Sequence, residues 1–405
     1  MTGRRPTKRG LTLLLGSFAL LLAAGTAQAG WLYVIAAGTL GLLASSLVAP
    51  HRLRGLELRL ALPRRAQVGD PTPVHLTLRN GGRRRVRLVS VHAAVPGLKR
   101  GTWLCEGLGP GQEVSERISL RALRRGIYDG AGATVECAWP FGIARSRRAI
   151  AGLLRRQGGH AEARLIVVPR VSRISSSLTA SSSPPDVSGV EAAAPTGTGI
   201  EFAGVREYRP GDPARAVHWR ATARRDTLVV RELRDDASGR LVCALGGMDH
   251  GDAPDSSFEA LVSAAASLVV DALDHGLHVT LACADPTRGA RCIEPTGRVE
   301  ALDWLAGVRP EDRVLEPIRA ALAAGGRGTA VVILSSSAGR AGAELPSAVR
   351  TAAASGARPV VVLARAETWD RRIERHTSIE PGAMFEWASV RTIARGQDVG
   401  SCLEA

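Results

Sequence analysis

Two uncharged apolar runs, Leu11 to Ala27 and Trp31 to Ala49, open this chain with only Gln28-Ala29-Gly30 between them. Each is about long enough to cross a hydrocarbon core as a helix, because a helix rises ~1.5 Å per residue and the core is ~30 Å thick. So short a break leaves room only for a turn, and a helical hairpin is expected. Arg4, Arg5, Lys8 and Arg9 precede the first run, and His51, Arg52 and Arg54 follow the second. Positive charge at both outer ends, with none at the turn, predicts a multi-pass anchor in the cell (plasma) membrane and a soluble body on the cytoplasmic side.

A secretory signal peptide is the competing reading, since a basic start, an apolar run and Ala27-Gln28-Ala29 also fit a cleavage site. Cleavage there would still leave the second run, with its basic flank at Arg52 and Arg54, as an anchor. The expected side of the membrane is the same under both readings.

The chain has 405 residues, 45% of them hydrophobic, which is enough for two or three domains with cores of their own. Its formal charge is +15, carried almost entirely by arginine, because lysine occurs only at Lys8 and Lys99. Such a field favours nucleic acid, anionic lipid or acidic partners. In a chain this rich in Ala and Gly, much of the arginine is also read as genome-wide composition and as a solvating surface. Cys105, Cys137, Cys243, Cys283, Cys292 and Cys402 include no C-x-x-C pair. That spacing suggests neither a zinc ribbon nor a disulfide framework, and it fits a reducing compartment.

Residues 1–54 are thus assigned to the hairpin, with helices at about 11–27 and 31–49. Over 55–170 short alternating runs, such as Leu56/Leu58/Leu60/Leu62 and Val74/Leu76/Leu78, are broken by Gly69-Asp70, Asn80-Gly81-Gly82 and Gly109-Pro110-Gly111. This pattern predicts an immunoglobulin-like β-sandwich, ending in a strand at Leu165 to Val168. Residues 171–200, rich in Ser, Pro and Ala, read as a linker. From 237 to 405, strands at Leu241 to Leu245, Val279 to Cys283, Ala330 to Leu334 and Val360 to Leu363 alternate with helices at Ser257 to Asp274, Asp312 to Ala324 and Ala343 to Ala354. That alternation predicts an α/β domain with a Rossmann-type parallel sheet.

Between linker and α/β domain, segment 201–236 is dense in charge and aromatics. Pro210-Gly211 favours a tight turn, Asp212 is placed to cap a helix that starts at Pro213, and Arg215 and Trp219 would lie one turn apart on it. Trp219 is expected to pack beneath while Arg215 reaches outward. Arg206, Arg209, Arg215, Arg220, Arg224, Arg225 and Arg231 would make an electropositive surface, partly pinned by Glu207, Asp212 and Glu232.

The run Arg206-Glu207-Tyr208-Arg209-Pro210-Gly211-Asp212, then Arg215 and Trp219, then Ala223-Arg224 and Leu228-Val229-Val230-Arg231-Glu232, resembles the signature of the domain of unknown function 58 (DUF58) family. Arg125-Gly126-Ile127-Tyr128 and Pro140-Phe141-Gly142 stand where that family has R-G-x-Y and P-F-G. The resemblance implies a membrane α-hairpin, a β-rich domain and a von Willebrand factor A-like α/β domain. It also implies companionship with a MoxR-type AAA+ ATPase and a transglutaminase-like membrane protein, in an interaction or assembly role, with no cofactor and no established activity.

One departure concerns metal. Metal-binding von Willebrand A domains place Asp-x-Ser-x-Ser after their first strand, where carboxylate and hydroxyls hold a hard cation. This chain has Gly246-Gly247-Met248 there, and Asp249, Asp252, Asp255, Ser256 and Ser257 follow, which leaves open a cation held in another geometry beside the expected reading of a polar loop capping the next helix. No P-loop, H-E-x-x-H or G-x-S-x-G is present, and Gly325-Gly326-Arg327-Gly328 follows a helix instead of opening one, so no enzyme class is indicated. His218 has no evident nucleophile beside it. Three uses of the Arg-Glu-Tyr segment stay open: a protein-docking surface, an interdomain hinge, and an anion or nucleic-acid site. Nucleic acid is the less expected ligand, because only 4% of residues are aromatic.

Overall fold

The computed structural model describes residues 2–27, 29–48, 53, 55–138, 142–152, 154–156, 164–174, 201–209, 217–225, 227–234, 239–252, 254–325, 329–357, 359–373 and 388–404. These fall into two compact units, one of Met1–Arg170 with Asp252–Pro254 and Leu302–Arg309, the other of the remaining residues. Of the expected linker, 175–200 lies outside the described residues.

The first unit opens with strand β1 (Thr2–Pro6), helix α1 (Lys8–Ala27) and helix α2 (Gly30–Val48). The helices meet through small residues: Ser17, Ala24 and Ala36 are buried, and the Ser17 hydroxyl donates to Thr39 Oγ1 at 2.8 Å. Small side chains let two helix backbones approach where no large apolar contact drives them together. Leu14, Leu15, Phe18, Leu22, Val34 and Ile35 point away and are exposed. An apolar outer face over a polar, small-residue seam suits lipid better than water. Among the described residues α1 alone qualifies as a span by length and hydropathy, over Lys8–Thr26 with mean hydropathy 1.5, while the described apolar run of α2, Gly30–Ser46, is shorter. The expected multi-pass anchor is therefore reduced to one or two N-terminal apolar helices suited to anchoring.

The rest of this unit is sheet-rich. Strands β2 (Leu56–Leu62), β3 (Arg65–Gln67), β4 (Pro71–Asn80), β5 (Val86–Ala94), β6 (Gly101–Leu108), β7 (Glu113–Arg121), β8 (Gly126–Tyr128), β9 (Ala131–Cys137), β10 (Ala144–Gly152), β11 (Leu154–Arg156) and β12 (Leu165–Val168) form sheets ordered β1-β10-β9-β5-β6, β11-β2-β4-β7 and β3-β12-β8. Side chains alternate across a strand, so Leu56, Leu58, Leu60 and Leu62 of β2 and Val74, Leu76 and Leu78 of β4 all face one way. They share a core with Val89, Val91 and Val135 of the five-stranded sheet. Strand β1 is an addition to the expected elements; its five residues extend that sheet antiparallel to β10, from Thr2↔Arg148 to Pro6↔Ala144.

Both ends of the helix pair are seated on the same end of these sheets. Thr7 caps α1, its Oγ1 accepting from the Gly10 amide at 3.1 Å while its own amide donates to Ile143 O at 2.9 Å. Gly55, immediately before β2, accepts from the Gly81 amide at 2.8 Å, and Arg148 Nη1 donates to Leu53 O at 2.7 Å.

In the second unit β13 (Glu201–Glu207), helix α3 (Trp219–Arg225) and β14 (Val229–Arg234) precede the α/β part. Its strands β15 (Arg240–Leu245), β18 (His278–Asp285), β19 (Gly289–Ile293), β20 (Ala330–Ser336), β21 (Val360–Ala364) and β22 (Ser389–Ile393) form one sheet ordered β19-β18-β15-β20-β21-β22. Only β19 runs antiparallel. Between β15 and β18 a two-residue pair, β16 (Gly251–Asp252) with β17 (Asp255–Ser256), leads into helix α4 (Ser257–Asp274). Helix α5 (Arg298–Ala306) follows, its residues from Leu302 on belonging to the first unit, and then helices α6 (Leu315–Gly325), α7 (Gly339–Ala354) and α8 (Val399–Glu404). Val242, Ala244, Val331, Ile333 and Val361 pack with Ile318, Ala321, Leu345 and Val349 of α6 and α7.

Candidate interaction surface

Strands β13 and β14 pair antiparallel, setting Arg206 opposite Val230 and Gly204 opposite Glu232, with a bulge between Phe202 and Gly204. The pairing continues as the Tyr208 amide donates to Leu228 O at 2.8 Å. Helix α3 is laid on β14 by its first residues: the His218 amide donates to Val229 O, and the Val229 amide donates to Thr222 Oγ1 at 3.1 Å. His218 Nδ1 accepts the Ala221 amide at 3.1 Å, so the ring serves as a helix cap, the job Ser or Asp usually does.

The structure corrects the expected packing of Trp219. Pro210, Gly211, Asp212 and Arg215 lie outside the described residues, and the described helix begins at Trp219 itself. Val217, Val229 and Val230 are all buried, while Trp219 is 69% exposed. Tyr208 and Leu228 are exposed beside one another on the strand ends, and Arg209, Arg220 and Arg224 are exposed as well. Arg206, Arg231 and Glu232 sit on the paired strands, with side chains outside the described set. Glu207 ends β13 and is exposed. Trp, Tyr and Arg together are the residue types that dominate interface hot spots. Burying this much aromatic surface on a partner would recover free energy the monomer forgoes.

The sheet reverses direction of growth between β15 and β20, the place where open α/β sheets bind ligands. Here that crevice is filled by the chain itself. A Cβ on Gly246 would stand 1.9 Å from Arg313 O, and the Gly247 amide donates to Glu311 O at 2.9 Å. Asp312 accepts the Arg340 and Ala341 amides, both at 2.8 Å, and so occupies the N-terminus of α7. The loop serines are likewise engaged by neighbouring backbone: Ser256 Oγ accepts the Glu259 amide, and Ser257 Oγ donates to Met248 O while accepting the His250 amide. Asp249 and Asp252 are exposed, and Asp255 pairs with Arg395 at 2.9 Å. Among the described residues no three or more His, Cys, Asp or Glu side chains gather as a metal site.

Glu344 closes a second helix end. Its Oε2 accepts the Val314 and Leu315 amides at 3.1 and 3.2 Å, and its Oε1 accepts Arg340 Nε at 2.7 Å. Burial pushes its pKa up, but Arg340 and the two amides outweigh it, so the net shift is below the ordinary glutamate range. Glu367 is lowered likewise, burial being outweighed by hydrogen bonds that include Arg365 and Ser337. A depressed folded pKa contributes stability above the unfolded value that is lost as pH falls through the folded one. Glu344→Gln is thus expected to lower the melting temperature at pH 7 by about 2–4 °C, the effect of ~1 kcal/mol in a domain this size. The difference from wild type should shrink as the pH falls below the ordinary glutamate range and vanish once it passes the lowered folded pKa, where Glu344 is protonated; a difference that stays constant into strong acid would assign Glu344 no such role.

The R-G-x-Y run has a structural part to play inside the first unit. Arg125 Nη1 donates to Leu305 O and Val308 O at 2.6 and 2.7 Å. Tyr128 Oη donates back to Arg124 O at 3.0 Å, over Gly97, whose φ is +80° and whose Cβ would stand 2.2 Å from the ring. Pro140 and Phe141 of the P-F-G run lie outside the described residues. A cleft of about 480 Å³ that no motif marks is lined by Arg391, Gln397, Asp398, Ser401 and Cys402 beside β22. The Cys402 thiol is pushed up by burial and by Asp398, the opposite of what an attacking thiolate needs. Cys243, wholly buried, is pushed up to about 12.

Residues 204–312 match the family model described as "Protein of unknown function DUF58", the family pointed to by the Arg-Glu-Tyr signature. No curated protein matches the chain. Among solved structures, the CARDB domain of a Pyrococcus furiosus protein is 18% identical over 25% of this chain and 96% of that one, with a TM-score of 0.18. A Listeria innocua β-glucosidase in complex with gluconolactone is 15% identical over 24% of this chain and 16% of that one, at 0.15. A Pseudomonas fluorescens alkylpurine DNA glycosylase bound to DNA is 14% identical over 35% and 43%, at 0.14. Likeness at this level carries no argument about fold or activity.

Proposed function

We propose that this chain, a DUF58 protein over residues 204–312, is a membrane-anchored, non-enzymatic interaction or assembly factor whose docking surface is the β13-α3-β14 unit. The observation that carries the reading is Trp219 standing 69% exposed with Tyr208 and Leu228 beside exposed arginines. The helix pair α1–α2 is read as a hairpin that crosses the membrane twice and leaves the body in the cytoplasm, supported by the seating of both its ends on one end of the sheets. The α/β part is read as von Willebrand factor A-like, supported by its strand order, which along the chain is 3-2-1-4-5-6 with strand 3 antiparallel. The partner suggested by the family resemblance is a MoxR-type AAA+ ATPase, with a transglutaminase-like membrane protein as a further member of the assembly.

The test is in-cell crosslinking and mass spectrometry of the tagged full chain against Tyr208→Ala/Trp219→Ala. An AAA+ ATPase recovered with wild type, and at least tenfold depleted with the variant at unchanged melting temperature, is the expected result. Anion or nucleic-acid binding through Arg209, Arg220 and Arg224 is the second reading, favoured by their exposure beside two aromatics. It would show as recovery of nucleic acid that falls steeply with salt and with Arg220→Ala/Arg224→Ala. Recovery of no specific partner by either surface variant or wild type would overturn the assembly reading.

A further inference from the structure

The end of the sheets on which α1 and α2 are seated carries more positive charge than the chain termini of the helices supply. The turn between β4 and β5 holds Arg83, Arg84 and Arg85, all exposed, and none of the three forms an ion pair among the described residues. The fold places this turn against the segment that follows α2, at Gly55, by two devices. Gly82 lies against Gly55, so closely that a Cβ on Gly55 would stand 2.6 Å from Gly82 N. Asn80, wholly buried, donates through Nδ2 to Arg84 O and Leu108 O at 2.9 and 3.0 Å and accepts the Gly82 amide at Oδ1, which fixes the shape of the turn. Lys8 and Arg9 begin α1 at the same end and are exposed. Glu136 is there too, but it is engaged by Arg145 at 3.3 Å and Arg147 at 3.5 Å. Glu57 and Glu113 are exposed at the starts of β2 and β7 and lessen the field without pairing the three arginines.

We propose that Arg83, Arg84 and Arg85 form a docking surface for anionic phospholipid headgroups of the bilayer that α1 and α2 enter. The occupant follows from position and charge. A turn of three guanidiniums that form no ion pair among the described residues, at the same end of the sheets as the start of α1 and held against Gly55 on the segment that follows α2, faces the headgroup layer under this reading, and guanidinium binds phosphate bidentately. A basic residue near an anionic leaflet is worth about a fivefold gain in affinity. The inference rests on reading α1–α2 as the membrane anchor. It adds a contact that no linear flank supplies, since these arginines are some thirty residues beyond the helices in sequence and are brought back by the β2–β4 pairing of Leu56↔Asn80. Headgroup contact would also orient the body against the bilayer, which a flexible tether would not do.

The experiment uses the full chain in detergent micelles, equilibrated with equal amounts of phosphatidylglycerol and phosphatidylcholine, with bound lipid counted by native mass spectrometry. Wild type should retain phosphatidylglycerol over phosphatidylcholine by about tenfold or more, a preference falling with added salt. Arg83→Gln/Arg84→Gln/Arg85→Gln should bring the ratio close to one with no change in melting temperature. Lys99→Gln/Arg100→Gln, in the turn at the opposite end of the sheets, should leave it unchanged. An unchanged ratio in the triple variant overturns the proposal, as does equal loss in the control pair. Displacement of the lipid by millimolar inorganic phosphate, with phosphate itself retained, would make this a soluble-anion site and overturn it as well. Failure of the anchor reading is separately visible: alkaline carbonate would then strip wild type and triple variant alike from native membranes.

Discussion

Replacing Gly246 by aspartate is expected to unfold the α/β part of this protein and to create no cation site. The side chain would have to start where Arg313 O stands, 1.9 Å from the position of a Cβ, and that atom is backbone held by its own neighbours. Overpacking of this kind costs about 1–3 kcal/mol or more. A carboxylate introduced into a wholly enclosed position adds a further penalty of several kcal/mol for lost hydration. Together these approach the whole stability of an ordinary domain, ~5–15 kcal/mol. Gly246→Ala isolates the steric part and should lower the melting temperature by about 4–10 °C, taking ~2–4 °C per kcal/mol. Thermal unfolding of the full chain, with and without millimolar magnesium, reads both. A folded Gly246→Asp protein stabilised by magnesium would show that the crevice opens and that a cation can replace the lost packing.

Gly246-Gly247-Met248 thus leaves the end of the first sheet strand to the chain's own packing. The positions a cation or phosphate would use are taken by Asp312 on the α7 N-terminus, by Glu344 on that of α6 and by the Glu311–Arg313 segment against Gly246 and Gly247. The sequence shows the missing acids; it does not show what replaces them, because Asp312 and Glu344 act across 28 or 29 and 29 or 30 residues of chain. The same limit applies to regular structure. Helix α4, with its capping serine and a continuous buried stripe from Phe258 to Ala272, is legible residue by residue. Strand β19 is not, since Gly289-Ala290-Arg291-Cys292-Ile293 has no apolar alternation and is held by hydrogen bonds to β18 after the turn that Asp285 makes with Thr287 and Arg288. Strand β22 is similarly polar and is added in parallel at the other edge.

For the interaction surface, the signature locates the segment but not which of its side chains are exposed. Local helix rules put Trp219 a turn into a helix and under it; the buried residues at this point are instead Val217, which bridges to Val230, and Val229 and Val230 of the following strand. The difference is informative, because an aromatic left out of the core by better-packed neighbours is free to serve a partner. His218 is likewise legible only from the Ala221 amide that points at its ring.

Gly10→Val and Gly55→Val are both expected to be strongly damaging in the first unit. Both glycines are junctions: a Cβ at Gly55 meets Gly82 N and Cα at 2.6 and 2.7 Å, and one at Gly10 meets Ile143 O at 2.2 Å. In neither case can a flexible side chain step aside, since the obstructing atoms are main chain. An overpacking cost near the upper end, ~3 kcal/mol, corresponds to a fall of about 6–12 °C in the melting temperature of a unit this size. More telling than the fall is its location. Gly16, Gly38 and Gly41 belong to the same two helices, and a Cβ on any of them meets nothing within 4 Å. Valine at those three positions should leave the melting temperature within about 1–2 °C, the size expected where no named packing mechanism operates. Limited trypsin digestion supplies the second readout: Gly55→Val should open cleavage at Arg83, Arg84 and Arg85, whose turn depends on Gly82 lying against Gly55. If all five valine variants behave alike, the helices are joined to the sheets only by the chain, and the seating that holds the arginine turn against the segment that follows α2 is not what stabilises this end. If only Gly10 and Gly55 respond, the hairpin and the sheets fold as one cooperative piece, which is the condition for a membrane anchor to set the orientation of the body it carries.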